Sequence, residues 1–320
     1  MRARIHSHSP AQNFAALLAC LAICGCDPPP DSDVPKAYKY DIANLKEASA
    51  ATGEWVEIKS IPLPFRDPRA IACVGDGTIL AAGDRAVVAL AADGKEIWRS
   101  RLSDEPRCLG AGTGGKTYVG FRDHVMVLGA SGAVVGEWTG LGENAVITSV
   151  AVGREKVWVA DAGSRKVAIF DLGGRLVGYL SPPDPFVAPS PFFDLTADSA
   201  GGVWVVNPGC LRVEHYSADG ARTTHWGGPS MDPSGFAGCC NPIHIALLPD
   251  GGFATSEKGI PRVKTYRPDG AFSCIVAGPK MFAEDTHGLD LAAATTGDIL
   301  VLDREKRTVR LFSSKRERKP

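Results

Sequence analysis

One pattern recurs six times along this 320-residue chain, and it limits the fold more than any single motif does. Each copy reads as a short strand of small apolar residues, a Gly-containing turn, and an apolar strand ending in an acid or polar residue. A further turn, an alternating strand ending in an aromatic residue or Leu, and a turn of the D-G or G-G type complete it. The copies are "AIACVGDGTILAAGDRAVVALAADGKEIW" from Ala70, "CLGAGTGGKTYVGFRDHVMVLGASGAVVGEW" from Cys108, "SVAVGREKVWVADAGSRKVAIFDLGGRLVGYL" from Ser149, "DLTADSAGGVWVVNPGCLRVEHYSADGARTTHW" from Asp194, "GFAGCCNPIHIALLPDGGFATSEKGIPRVKTYRPDG" from Gly235, and "LDLAAATTGDILVLDREKRTVRLFSSK" from Leu289. Their third strands end at Leu90, Leu128, Phe170, Tyr216, Tyr266 and Phe312, spacings of 38, 42, 46, 50 and 46 residues. Four short strands at that period form one propeller blade, which buries its faces only by stacking on its neighbours. The 36 glycines and 23 prolines punctuate the chain too densely for long helices.

The sixth copy lacks a fourth strand, because the chain turns to charge after Phe312, while "EWVEIKSI" at 54–61 is an alternating strand without a repeat of its own. Pairing the two removes both open edges. The expected fold is therefore all-β, a six-bladed β-propeller over 54–313, its ring closed by the N-terminal strand at about 54–61 pairing into the last blade.

The N-terminus speaks to location. Arg2 and Arg4 precede an apolar run from Ala11 to Cys24 that is too short to span a bilayer and ends in "ICGC". Ile23, Cys24, Gly25 and Cys26 resemble a bacterial lipobox, with Cys24 where Ala, Ser or Thr is usual. The resemblance implies a lipoprotein signal peptide over 1–25, acylation of Cys26 and permanent anchoring in the cell envelope, facing the periplasm or exterior. Residues 26–53 then hold the lipidated Cys and a Pro-rich tether, "DPPPDSDVPK", ahead of a short helical pattern at about 42–51. Residues 314–320 form a solvated basic tail. The formal charge is −1, so no basic face is available to neutralise a phosphate backbone, and nucleic acid is not an expected partner.

The stretches "VWVADAGSRKVAIF", "FATSEKGIPRVKTY" and "VWVVNPGCLRVEHY" resemble the NHL-repeat family, with its acid-ended second strand and Arg-Val start to the third. The resemblance implies a six-bladed propeller but no single activity, since such propellers include protein- and RNA-binding scaffolds, a peptide-amidating lyase and gluconolactonase-like hydrolases.

Blade topology says where a site would lie. The loops entering each blade and the turns between second and third strands emerge on one face. That face gathers Cys210, Cys239, Cys240, Glu257, Lys258 and His287, together with Asp161, Asp303 and Arg304. Arg262 and His244 complete the candidate ligand-binding rim, His244 inside a first strand and able to point into the channel or the sheet. Asp161, Asn207, Glu257 and Asp303 share one repeat position and read as turn caps; Lys166, Arg212 and Arg262 share another and read as partners of those turn acids. Six cysteines lie beyond the signal. In an oxidising compartment they favour a disulfide from Cys210 to Cys239 or Cys240, with Cys73 and Cys108 as a second candidate pair, Cys274 simply buried, and a vicinal Cys239–Cys240 bridge as a strained option. The competing reading is a metal site of Cys210, Cys239, Cys240 and His287, suited to zinc or copper. No C-x-x-C or H-x-x-x-H spacing supports it, and no cofactor is expected otherwise. "GAGTGG" at 110–115 has no following helix and is a turn rather than a phosphate cradle. No G-x-S-x-G, H-E-x-x-H or EF-hand loop is present.

Two functions remain. The first is a noncatalytic, monomeric binding module presenting its rim, including the Pro-rich insertion "PPDPFVAPSPFF" at 182–193, to a protein, peptide or glycan. The second is a metal-dependent or redox enzyme similar to the amidating lyases.

Overall fold

A computed structural model describes Glu47, residues 52–189 and residues 191–315. The expected signal peptide, Cys26, nearly all of the expected tether and its helical pattern, and most of the expected basic tail lie outside them. Among the described residues no helix is long and apolar enough to cross a membrane.

Among the described residues twenty-four strands form six four-stranded antiparallel sheets. The first strand of the chain, β1 (Trp55–Pro62), belongs to blade six, so blade one begins at β2. Blade one is β2 (Pro68–Cys73), β3 (Ile79–Gly83), β4 (Ala86–Leu90) and β5 (Glu96–Arg101); blade two is β6 (Cys108–Ala111), β7 (Thr117–Gly120), β8 (Val125–Leu128) and β9 (Val134–Trp138). Blade three is β10 (Ile147–Val152), β11 (Lys156–Asp161), β12 (Lys166–Asp171) and β13 (Leu176–Tyr179); blade four is β14 (Leu195–Ala197), β15 (Val203–Asn207), β16 (Arg212–Tyr216) and β17 (Arg222–Gly227). Blade five is β18 (His244–Leu247), β19 (Phe253–Glu257), β20 (Arg262–Tyr266) and β21 (Phe272–Ala277), and blade six is β22 (Leu291–Ala293), β23 (Ile299–Asp303), β24 (Thr308–Ser314) and β1.

The closure is as expected. β1 runs antiparallel to β24 from Trp55 opposite Ser314 to Pro62 opposite Thr308, with a bulge between Glu57 and Lys59. Arg310 clasps the seam, donating to Glu57 Oε2 at 2.6 Å on β1 and to Asp303 Oδ2 at 3.1 Å on β23. Where blades one to five join third strand to fourth, the chain needs a left-handed residue, and glycine supplies it, as at Gly94 (φ 92°) and Gly270 (φ 78°). Blade six has no such turn because its outer strand comes from the other end of the chain.

The second and third strands are buried on both faces, so they read as unbroken apolar runs; all five residues of β4, "AVVAL", are buried. Six hydrophobic clusters fill the six gaps between neighbouring blades. The gap between blades three and four takes Trp158 from one side and Phe186, Phe193 and Tyr216 from the other. The Pro-rich insertion therefore feeds its blade's core: Phe186 and Phe193 are buried, while Phe192 is half-buried and Val187 exposed.

Candidate functional site

The first strand of each blade lines the axis, and its inner edge has no neighbour in its own sheet. Its N–H groups must find partners elsewhere. Strand registers set Leu195 opposite Val205, Ile245 opposite Thr255 and Leu291 opposite Val301, so Asp194, His244 and Asp290 occupy one equivalent position in blades four, five and six. Ser149, Cys108 and Ala70 hold that position in blades three, two and one. From it a side chain reaches the first strand of the next blade. Ser149 Oγ accepts from Leu195 N–H (3.2 Å), Asp194 Oδ2 from Ile245 N–H (2.9 Å), and Asp290 Oδ2 from Ile71 N–H (2.8 Å).

Between the two carboxylates stands His244. Its Nδ1 lies 3.3 Å from Asp194 Oδ2 and 3.4 Å from Asp290 Oδ1. The three side chains are largely buried, at 12%, 17% and 18% exposure for Asp194, His244 and Asp290. Burial pushes the Asp290 carboxyl from 3.8 up to about 6, against the pull of His244 and with the push of Asp194. Burial draws His244 down, but the hydrogen bond it donates to Asp194 and the charge of both carboxylates outweigh it and hold the imidazole above its ordinary value. The other ring nitrogen, Nε2, bonds to no described residue and keeps solvent contact. Phe192 stands edge-on to the ring, 5.7 Å between centroids, and Lys258 Nζ sits 5.5 Å from the Phe192 centroid.

Asp194, His244 and Asp290 border a cavity of about 70 Å³ at one end of the channel, with Arg69, Arg107 and Thr148 in its wall. Below it, Ile71, Leu109, Val150, Leu195, Ile245 and Leu291 border both this cavity and the hollow at the other end, an apolar collar between the two. Arg69 is neutralised by Asp67 (2.8 Å) and Glu105 (3.8 Å). The Arg107 guanidinium has no ion pair among the described residues. Asp194, His244 and Asp290 are also the one group of three His, Cys, Asp or Glu side chains among the described residues whose ligand atoms lie within 4.8 Å of one another.

Of the rim expected from sequence, only His244 belongs to this cluster. Glu257 is buried in a network with Arg262 (2.8 Å) and Lys264 (2.5 Å), and Asp303 is buried against Arg310 and the Lys306 N–H; both are architectural. Lys258 is half-buried and reaches the cluster only through Phe192. Of the shared cations, Arg262 pairs with its turn acid, but Arg212 pairs with Glu214 on its own strand (2.7 Å) and Lys166 lies over Tyr179.

The cysteine expectations are corrected. Among the described residues none of Cys73, Cys108, Cys210, Cys239, Cys240 and Cys274 forms a disulfide, so no bridge links Cys210 to Cys239 or Cys240, or Cys73 to Cys108. Cys210 sits half-buried in the Pro208–Cys210 turn, Cys239 is exposed and His287 is exposed. No three of Cys210, Cys239, Cys240 and His287 converge, which removes the proposed zinc or copper quartet. Sharing a face of the wheel brings loops to one side without bringing their side chains together.

Asp194 and Asp290 escaped the sequence reading. Their signal was an acid or histidine immediately before the first Leu or Ile of the inner strand, in "FFDL", "PIHI" and "GLDL", legible once the repeats are aligned on that strand. A second missed feature is the apolar outer edge of blades one to three, where Ile97, Val134, Val135, Val177 and Tyr179 are 42–60% exposed.

No family model matches the chain, and no curated protein matches it. Among solved structures it is similar to a structural-genomics protein of unknown function from Bacteroides thetaiotaomicron, at 17% identity and TM-score 0.59 over 83% of this chain and 73% of that one. It is similar to a streptogramin B lyase at 11% identity and TM-score 0.56, over 82% and 98% of the two chains. A catalytically inactive histidine-to-alanine variant of virginiamycin B lyase from Staphylococcus aureus, solved with quinupristin, matches at 10% identity and TM-score 0.58 over 81% and 99%. At these identities the likeness is one of fold.

Proposed function

We propose that the protein is a lipid-anchored binding module of the cell envelope, an NHL-like propeller held through Cys26, which takes the polar end of a protein, peptide or glycan ligand into its axial mouth. The observation that carries this reading is the convergence of Asp194, His244 and Asp290 from three blades on one cavity beside the unpaired Arg107. A cavity of about 70 Å³ admits one functional group, so the rest of a ligand would lie across the rim against Phe192 and Lys258. The carboxylates accept ligand N–H or O–H groups, while Arg107 and His244 Nε2 donate. Peptide ends and sugar hydroxyls use both kinds of partner.

The test is a thermal-shift screen of peptides and oligosaccharides on the detergent-extracted full chain, repeated with Arg107→Ala and His244→Gln. A ligand of the mouth loses about tenfold or more in affinity in each variant, roughly 1.4 kcal/mol. A ligand bound equally well by both variants refutes this placement. Replacing Cys26 with Ser should abolish acyl labelling and release the chain from membranes; retention of either ends the anchor reading.

A histidine held between two carboxylates also favours a second reading, acid–base catalysis. Asp194 and Asp290 would fix the Nδ1 side and leave Nε2 to exchange a proton with a bound substrate. The lyase likeness lends this reading a fold and nothing finer. Two carboxylate oxygens and one imidazole nitrogen form a donor set suited to zinc or a harder divalent ion rather than to copper(I), which prefers sulfur. Turnover of a screened ligand, lost in His244→Gln, would displace the noncatalytic reading.

A further inference from the structure

Two sulfurs lie side by side in the loop that enters blade five. Cys239 and Cys240 occupy the loop between β17 and β18, with their Sγ atoms 3.4 Å apart. Cys239 is exposed, whereas Cys240 is 5% exposed. The backbone on both sides is fixed. The Asn241 side-chain amide donates to Ala237 O (2.6 Å) and Lys258 O (3.2 Å), and its oxygen accepts from Lys258 N–H (3.0 Å). Upstream, Phe236 is buried between blades four and five, and Lys264 Nζ donates to Pro233 O (2.9 Å) and Gly235 O (2.6 Å). The segment that carries the thiols is therefore tied down at both ends, so bringing the sulfurs together costs little chain entropy.

We propose that Cys239 and Cys240 are a dithiol–disulfide couple, a modification site that exchanges with an external disulfide, either of a small molecule or of another protein. The thiolate of Cys239, the accessible sulfur, attacks one sulfur of the external disulfide; that S–S bond breaks, a mixed disulfide forms, and the departing thiolate takes a proton. Cys240 then gives its proton to solvent and attacks Cys239 Sγ, expelling the second external thiolate, which is protonated in turn. Two protein thiols and one external disulfide become one protein disulfide and two external thiols. The resolving step asks the sulfurs to close from 3.4 Å to a bonded separation of about 2.05 Å. The other thiols do not compete. Cys108 and Cys274 are buried, and Cys210 sits in the blade-four turn, unbridged to either partner.

The probe is glutathione disulfide added to the full chain, followed by alkylation, proteolysis and mass spectrometry. The expected wild-type product is a Cys239–Cys240 peptide lighter by two hydrogens, carrying neither alkyl group nor glutathione. In Cys240→Ser the reaction should stop with glutathione on Cys239, and in Cys239→Ser it should slow about tenfold or more, because the remaining thiol is covered. Phenylarsine oxide is a second probe requiring no variant: it should join one arsenic to both sulfurs of the wild-type chain, releasing water. Persistent glutathione on wild-type Cys239, a Cys210–Cys239 linkage, or two thiols that stay alkylatable and take up no arsenic would each overturn the proposal.

Discussion

Replacing Asp290 by Asn should stabilise the protein by about 2 kcal/mol at pH 8 and destabilise it by about 1 kcal/mol at pH 4. The carboxyl moves from 3.8 in an open chain to about 6 in the fold, so the native state holds this proton more tightly than the unfolded one. For an acid displaced upward the sign is fixed: the penalty is absent below 3.8, grows as pH rises through the interval, and is complete above 6. A displacement of about two units corresponds to about 3 kcal/mol. Asn keeps an acceptor for Ile71 N–H but gives up the bond from Leu291 N–H to Asp290 Oδ1 (2.9 Å), costing about 1 kcal/mol. The net gain at pH 8 is about 2 kcal/mol, or roughly 4–8 °C in melting temperature for a domain of this size. His244 works in the same direction in the wild type. Its contribution is present below its unfolded pKa and lost as pH rises through the elevated folded value. Thermal melts of both chains at pH 4, 6 and 8 decide the matter, and an equal loss of stability in Asp290→Asn at all three would show that the carboxylate is satisfied, refuting the reasoning.

Other outcomes follow from the same structure. Replacing Arg310 by Met leaves Asp303 and Glu57 without their shared cation at the ring seam and should cost about 3–5 kcal/mol, read as a lowered melting temperature; an unchanged melt would mean the seam holds by strand pairing alone. Lys264, buried against Glu257, is drawn down from 10.5 to about 8, so the wild type should gain stability as pH rises from 8 toward 10, and Lys264→Met should remove that rise in melts at pH 8 and 9.5. Phe193→Ala should cost about 3–5 kcal/mol in chemical denaturation, because the ring fills the gap between blades three and four; a loss under 1 kcal/mol would mark the insertion as a loose lid.

The architecture was legible because its cause is local and repeated. The D-G and G-G turns and the doubly buried runs such as "VVAL" state a four-strand unit six times, and the unpaired "EWVEIKSI" states how the ring ends. Side-chain convergence was not legible in the same way. Glu257 and Asp303 looked like rim residues because their turns face the right end, yet each turns inward to a cation on its own blade. Cys210 and Cys239 share a face and nothing more. The true cluster required aligning the inner strands to the residue, since a shift of one position moves a side chain from the channel to the sheet interior.

The alignment also separates architecture from site. At the inner-strand position a side chain has one structural task, to accept an N–H from the next blade. Ser149 does it with a hydroxyl, and Asp194 and Asp290 do it with carboxylates. His244 does not do it. The N–H it would be placed to receive, that of Leu291, goes to Asp290 Oδ1 instead. Blades one and two fill the position with Ala70 and Cys108, so the wheel tolerates a residue that staples nothing. A serine at 244 would staple, and an alanine would cost no desolvation. A half-buried imidazole whose charge must be balanced by two carboxylates is the most demanding choice the ring could make, and the fold gains no backbone hydrogen bond from it. What His244 gives is a nitrogen open to the cavity, and that surplus over structural need is the physical ground for placing function at this end of the channel.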